Sequence, residues 1–212
     1  MLLPFLNGLD HLRVLDARYG RARVMGGVAH IAATIMPTGA VKQLSDLHRL
    51  TVGSRDAAHT ALALSFAELG KGAGFDSVYS EHIEQTLWNK WVFLATLAGM
   101  TTVCQGSVGE ILATTDGEAL TRQMFAECCA VAQASGFPIN AEEQSKALAM
   151  LTQKGSAFTA SMLRDLQSGQ RTEHEHILGD MVRRGQQAGL PMDLLRLAYT
   201  HMAVRSGQTG KR

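Results

Sequence analysis

Two short stretches of the sequence hold residue types able to do chemistry. In TLWNKWVFLATLAG, Lys90 is the single charge in an apolar run. A lysine stripped of water on such a helix has a depressed pKa and becomes a usable acid near neutral pH. A lysine at a helix edge instead lays its stem along Trp88 or Trp91 and keeps its ammonium in water, and the residues alone favour this blander reading. In SMLRDLQSGQRTEHEHILGD, Ser161 to Asp180, the residues Glu173, His174, Glu175 and His176 follow one another. His174 and His176 point about 200° apart on a helix, a poor geometry for a shared metal. Glu173 and His176 share a face, but two ligands do not make a site, and no H-E-x-x-H motif is present. A metal centre is therefore not expected. Thr172 followed three residues later by Glu175 is a capping-box pattern. Glu175 is then structural, and Glu173 falls in the first turn, where the helix dipole favours an ionised acceptor. His174 and His176 read as surface or packing residues.

Other chemistries find less support. Cys104, Cys128 and Cys129 are odd in number, and adjacent cysteines do not readily bridge each other, so a reducing compartment fits. Cys128 and Cys129 sit in MFAECCAVAQA, where small buried residues are expected rather than reactive thiols. No G-x-S-x-G nucleophile elbow occurs. Lys plus Arg total 20 against 19 Asp plus Glu. With no basic run interleaved with aromatics, nucleic acid is not an expected partner. The longest apolar run, Trp91 to Met100, is ten residues and too short to span a bilayer, and the N terminus lacks a basic signal-peptide region. A soluble cytoplasmic protein with no membrane partner is expected.

These residues must be positioned by about one and a half domains' worth of chain, 212 residues of which 46% are hydrophobic. From Met1 to about Gly53 the pattern suggests short strands at LLPFL, RVMGGVAHIAATI, AVKQL and HRLTVG, separated by NGLD, MPTG and LSD. From Asp56 onward apolar residues recur every three or four positions, and glycines and prolines cut the pattern into about seven helices. The ten methionines, scattered among those helices, read as core filler. The last residues, RSGQTGKR, read as a frayed tail. The strands cannot close into a barrel or hide their edges, so a dimer that buries them is expected. GGVAH is not a dinucleotide fingerprint, and no G-x-G-x-x-G lies in the chain.

In order, LNGLDH, LWNKWVFLATLAGMTT, SMLRDLQSGQRTEHEHILGDMV and GQQAGLPMDLL resemble segments of the ketopantoate reductase (2-dehydropantoate 2-reductase) family. A lysine just after tryptophan, followed by S-M-x-x-D and then T-E, is not a pattern that packing alone generates. The resemblance implies a mainly α fold. Residues 77–206 would be the all-helical substrate and dimerisation domain of the 6-phosphogluconate dehydrogenase C-terminal-like type. Residues 1–76 would be a β-rich remnant of a Rossmann (α/β) NADPH-binding domain lacking its phosphate loop, and 207–212 a flexible tail.

The implied activity is NADPH-dependent reduction of ketopantoate to pantoate, or of a related 2-oxo acid, by a cytoplasmic homodimer. Without the phosphate loop, tight NADPH binding and catalysis by this chain alone are not expected. A non-catalytic dimerisation or ligand-binding module derived from the family is the alternative. Lys90 would be the catalytic proton donor. Asn7 would hold substrate or nicotinamide, Ser161 the substrate carboxylate, and Glu173 the substrate's distal hydroxyl. On the residues alone, Asn7 would equally serve an Asn-Gly turn and Ser161 an N-cap. The family's lysine helix presents asparagines four and eight residues after the lysine. Here those positions are Leu94 and Ala98, which implies a more apolar pocket and a substrate other than ketopantoate itself.

Overall fold

The structure, a computed structural model, describes residues 1–36 and 38–209. The chain divides into two compact units, Met1–Leu87 and a second beginning at Trp88. The division thus falls inside a long helix, later than residue 76.

The first unit opens with an isolated parallel bridge between Leu2 and Val24, where the sequence pattern predicted a whole strand at LLPFL. Pro4 lacks the N–H that a strand would use there. Helix α1 is Asp10–Tyr19, with Asp10 in the first turn, where the helix dipole favours a carboxylate. Strand β1, Gly26–Ile35, pairs antiparallel with β2, Val41–Gly53, and β2 pairs in parallel with β3, Asp76–Tyr79. Helix α2, Thr60–Gly70, lies between β2 and β3 in the chain.

Two strand expectations are corrected here. AVKQL and HRLTVG are one strand, because LSD is absorbed as an irregularity rather than a turn: the register shifts between Ile31 and Ala33 of β1. The segment after Asp56 is not wholly helical, since β3 interrupts it. Only four residues long and with no residue fully buried, β3 shows no apolar alternation that a sequence pattern could detect.

GGVAH has a packing role. Gly26 pairs with Gly53 across β1 and β2, and a Cβ on either would run into the Ile83 side chain. The two glycines open a slot for Ile83, which is 2% exposed. Val24, Val28, Val52, Ala63 and Ala67 are among the other buried apolar residues of this unit.

Helix α3, Ile83–Cys104, carries the chain into the second unit. It is followed by α4 (Val108–Leu112), α5 (Gly117–Ala134), α6 (Ala141–Leu151), α7 (Ser161–Gln167), α8 (Asp180–Gln187) and α9 (Asp193–Thr209). Because α9 runs to Thr209, residues 205–209 are helical rather than part of a frayed or flexible tail, while 210–212 lie outside the described residues. Trp91, Leu97, Leu178 and Leu195 fill the core with Met124, Met181, Met192 and Met202, so these four methionines are core residues, as expected. Cys128 is fully buried, and burial pushes the Cys128 and Cys129 thiols each up to about 12, which keeps them protonated. No helix among the described residues is long and apolar enough to cross a membrane.

Candidate active site

Lys90 stands about two turns into α3. It is half-buried, and that burial lowers its pKa from 10.5 to about 8, while the charge of Glu173 works in the opposite direction. Glu173 is exposed, so its attraction is screened by water and only partly offsets the loss of solvation. The cation lying over the Trp88 and Trp91 rings is Arg184, 5.5 and 5.4 Å from their centroids. Leu94 and Ala98 follow Lys90 at four and eight residues and share its face of α3. Leu94 is half-buried and Ala98 buried. That face is apolar beyond the lysine.

Glu173 precedes the helix rather than sitting in its first turn. The segment Glu175–Gly179 is π-helical, with the Asp180 N–H donating to the Glu175 carbonyl five residues back, and it runs directly into α8. The Glu173 carbonyl accepts the N–H groups of His176 and Ile177, both at 3.1 Å. The capping box expected from Thr172 and Glu175 does not form, because both side chains are engaged elsewhere. Thr172 Oγ1 bonds His174 Nδ1 at 2.9 Å and Ser206 Oγ at 3.3 Å. The Glu175 carboxylate accepts the Tyr199 hydroxyl at 2.8 Å and Arg183 Nη1 at 3.4 Å. A capping box is found instead at Ser107 and Glu110, heading α4.

Glu175 is thus a tertiary anchor, and His174 belongs to a hydrogen-bonded cluster with Thr172 and Ser206. Burial lowers the His174 pKa, against the neighbouring Glu175 charge. Among the described residues no group of three or more His, Cys, Asp or Glu could hold a metal ion.

Asp165, on α7, is a residue to which sequence reasoning gave no role. Burial pushes its carboxyl up, Arg164 pulls it down, and the charge of Glu173 pushes it up further. Glu173 is therefore within electrostatic reach of both Lys90 on α3 and Asp165 on α7. The only sequence signal was the spacing S-M-x-x-D, since a carboxylate on a short helix otherwise reads as solvated. Ser161 is the first residue of α7 and lies four residues, about one turn, before Asp165. It is exposed, and the N-cap is Ala160, so Ser161 does not cap the helix.

Asn7 lies in the first unit. It is half-buried beside Gly8, whose φ of 75° is the left-handed conformation expected of an Asn-Gly turn. The structure thus links Lys90, Glu173 and Asp165 electrostatically within the second unit, puts Ser161 one turn from Asp165, and holds Asn7 in a turn before α1.

Known proteins give this arrangement a context. A family model described as ketopantoate reductase PanE/ApbA matches residues 1–57, and its C-terminal counterpart matches residues 82–206. The chain is 29% identical over 204 residues to YkpB, an uncharacterized oxidoreductase of Bacillus subtilis, covering 96% of this chain and 67% of that one. It is 29% identical over 184 residues to the 2-dehydropantoate 2-reductase of Archaeoglobus fulgidus, covering 87% of this chain and 60% of the other. The solved 2-dehydropantoate 2-reductase of Methylococcus capsulatus superposes with a TM-score of 0.87 at 27% identity, over 99% of this chain and 71% of that one. The chain therefore spans about two thirds of the length of the curated relatives it matches, or somewhat less. With the second match running unbroken from α3 into α9 and taking in Lys90, Asp165 and Glu173, the chain belongs to the ketopantoate reductase family.

Proposed function

We propose that this protein serves the reduction of a 2-oxo acid to the corresponding 2-hydroxy acid, with Lys90 as the proton donor at the ketone oxygen. The observation that carries the reading is a half-buried lysine whose pKa falls to about 8 within reach of Glu173, in a chain of the ketopantoate reductase family. Reducing a ketone drives negative charge onto its oxygen, and a positioned acid stabilises that charge and then neutralises it. Near pH 7 a group with a pKa of about 8 is mostly protonated yet releases its proton readily.

Glu173 accepts a hydroxyl of the substrate, Ser161 donates to its carboxylate, and Asn7 offers an amide to substrate or nicotinamide. Leu94 and Ala98 favour a 2-oxo acid with a less polar side chain than ketopantoate, because each unpaired polar group on a buried ligand costs about 1–3 kcal/mol. The hydride source in this reading is NADPH. The described residues hold no G-x-G-x-x-G turn to seat its diphosphate, so they fit the substrate end of the reaction and not the cofactor's phosphates. The assembly proposed is a homodimer in the cytoplasm.

The test measures calorimetric binding and NADPH-dependent turnover of ketopantoate and of 2-oxo acids with apolar side chains. The apolar acids are expected to bind more tightly than ketopantoate. Lys90→Ala is expected to lose on the order of 100-fold or more in turnover at saturating substrate. Parental turnover should decline as pH rises through about 8, where the ammonium gives up its proton. Unchanged turnover in Lys90→Ala ends its assignment as the acid. Binding of the 2-oxo acid without its reduction, under conditions where NADPH is shown to be bound, would make the protein a ligand-binding module.

A further inference from the structure

We propose that Trp91 is a positioning residue that holds Glu173 opposite Lys90 through the π-helical turn at Glu175–Gly179. The inference rests on the reading that Lys90 and Glu173 form the substrate site, and it stands on hydrogen-bond geometry. The Trp91 indole N–H donates to the Ile177 carbonyl at 3.0 Å in a buried contact between residues 86 positions apart. The N–H of that same Ile177 donates to the Glu173 carbonyl at 3.1 Å. Two hydrogen bonds therefore run from Trp91 to the backbone of Glu173 through one residue, and Trp91 is covalently next to Lys90. The four residues form a closed circuit: Lys90 to Trp91 by the peptide bond, Trp91 to Ile177 to Glu173 by hydrogen bonds, and Glu173 back to Lys90 through its charge.

The π turn gives this circuit its purpose. A π segment adds a residue to the helix, and each residue turns an α-helix by about 100°. The residues before it, Glu173 among them, consequently leave the helix in a direction that a regular helix continuous with α8 would not give. Such a segment needs support from outside its own ladder, and a carbonyl with two lone pairs accepts an external donor without giving up a helical partner. Trp91, 1% exposed, supplies that donor. Its ring is held in place by Trp88, 4.9 Å away between centroids, and by Arg184, itself bound to Asp180 at 3.1 Å.

The experiment reads Lys90 itself and needs neither turnover nor cofactor. The chain is labelled with 13C-lysine, the Lys90 resonance is assigned by its loss in Lys90→Arg, and its titration midpoint is followed by NMR. Glu173→Gln should lower the midpoint, because the ammonium loses an attracting carboxylate. Trp91→Phe keeps the aromatic bulk but removes the donor, and is expected to lower it at least half as far. The double variant should fall no lower than Glu173→Gln alone, as required if Trp91 acts through Glu173. A Trp91→Phe midpoint equal to the parent's, or full additivity in the double variant, overturns the proposal. If Glu173→Gln itself leaves the midpoint unmoved, the lysine–glutamate pair fails and the inference falls with it. Should Trp91→Phe not fold, replacing Trp91 with benzothienylalanine, an isostere without the N–H, carries the same expectations.

Discussion

At the scale of the residue, Lys90 shows how one side chain can be costly to the fold and useful to chemistry. Burial disfavours its charged form, and the exposed Glu173 returns only part of the loss. The consequence for stability has a definite sign. In the unfolded chain the lysine stays protonated up to its ordinary value of 10.5, whereas in the folded chain it releases its proton near 8. Between those values the unfolded state binds more protons, so stability rises with pH, and below about 8 the full penalty is present. Lys90→Met should therefore stabilise the protein at pH 7 by on the order of 1–3 kcal/mol. Urea denaturation should show that advantage shrinking as the pH is raised toward 10.5. A variant no more stable than the parent at pH 7 would mean that the ammonium is better hydrated than its burial implies. The lysine was visible in the sequence as a lone charge in an apolar run. Asp165 was not, because its importance comes from the charge of Glu173, eight residues further along the chain and in a different element.

Among the elements, those whose ends are set locally were the most legible. Ser107 and Glu110 head α4 with a capping box, and Asn140 accepts the Glu143 N–H at 2.9 Å to start α6. Ends set by a distant partner could not be read. Glu127, on α5, accepts the N–H groups of Leu194 and Leu195 at 3.2 and 2.9 Å and so caps α9 from 67 and 68 residues away. The turn before Glu175 was misread for the same reason, since Tyr199 and Arg183 claim the carboxylate that the local pattern had assigned to a cap. One close approach gives an element-scale prediction. A Cβ on Gly117 would strike the backbone carbonyl of Ile111, which cannot move like the end of a flexible side chain. Gly117→Ala should destabilise by roughly 1–3 kcal/mol despite the better helix propensity of alanine, read as a lower urea midpoint with an unchanged slope. A neutral or higher midpoint would show that α4 can move aside.

At the scale of the whole molecule, the first unit leaves large apolar side chains in water: Ile35 and Val41 are each 74% exposed, and they pair across β1 and β2. Exposed apolar strand ends favour association. The expected state is a dimer at micromolar concentration, and Val41→Lys should shift it toward monomer in sedimentation velocity. A monomeric parent would remove the homodimer from the proposal. The sequence by itself determined that the second unit is helical, where its helices break, that most of its methionines and Cys128 pack inside though Met150 on α6 is exposed, and that Lys90 is the unusual charge, because periodicity, turn residues and hydropathy are local properties. Only the tertiary structure decided that β3 extends the sheet, that AVKQL and HRLTVG join into one strand, that Glu127 caps α9, and that Trp91 braces a π turn next to Glu173. Each of those depends on hydrogen bonds between residues far apart in the chain, and a local pattern carries no information about which distant partner will meet it.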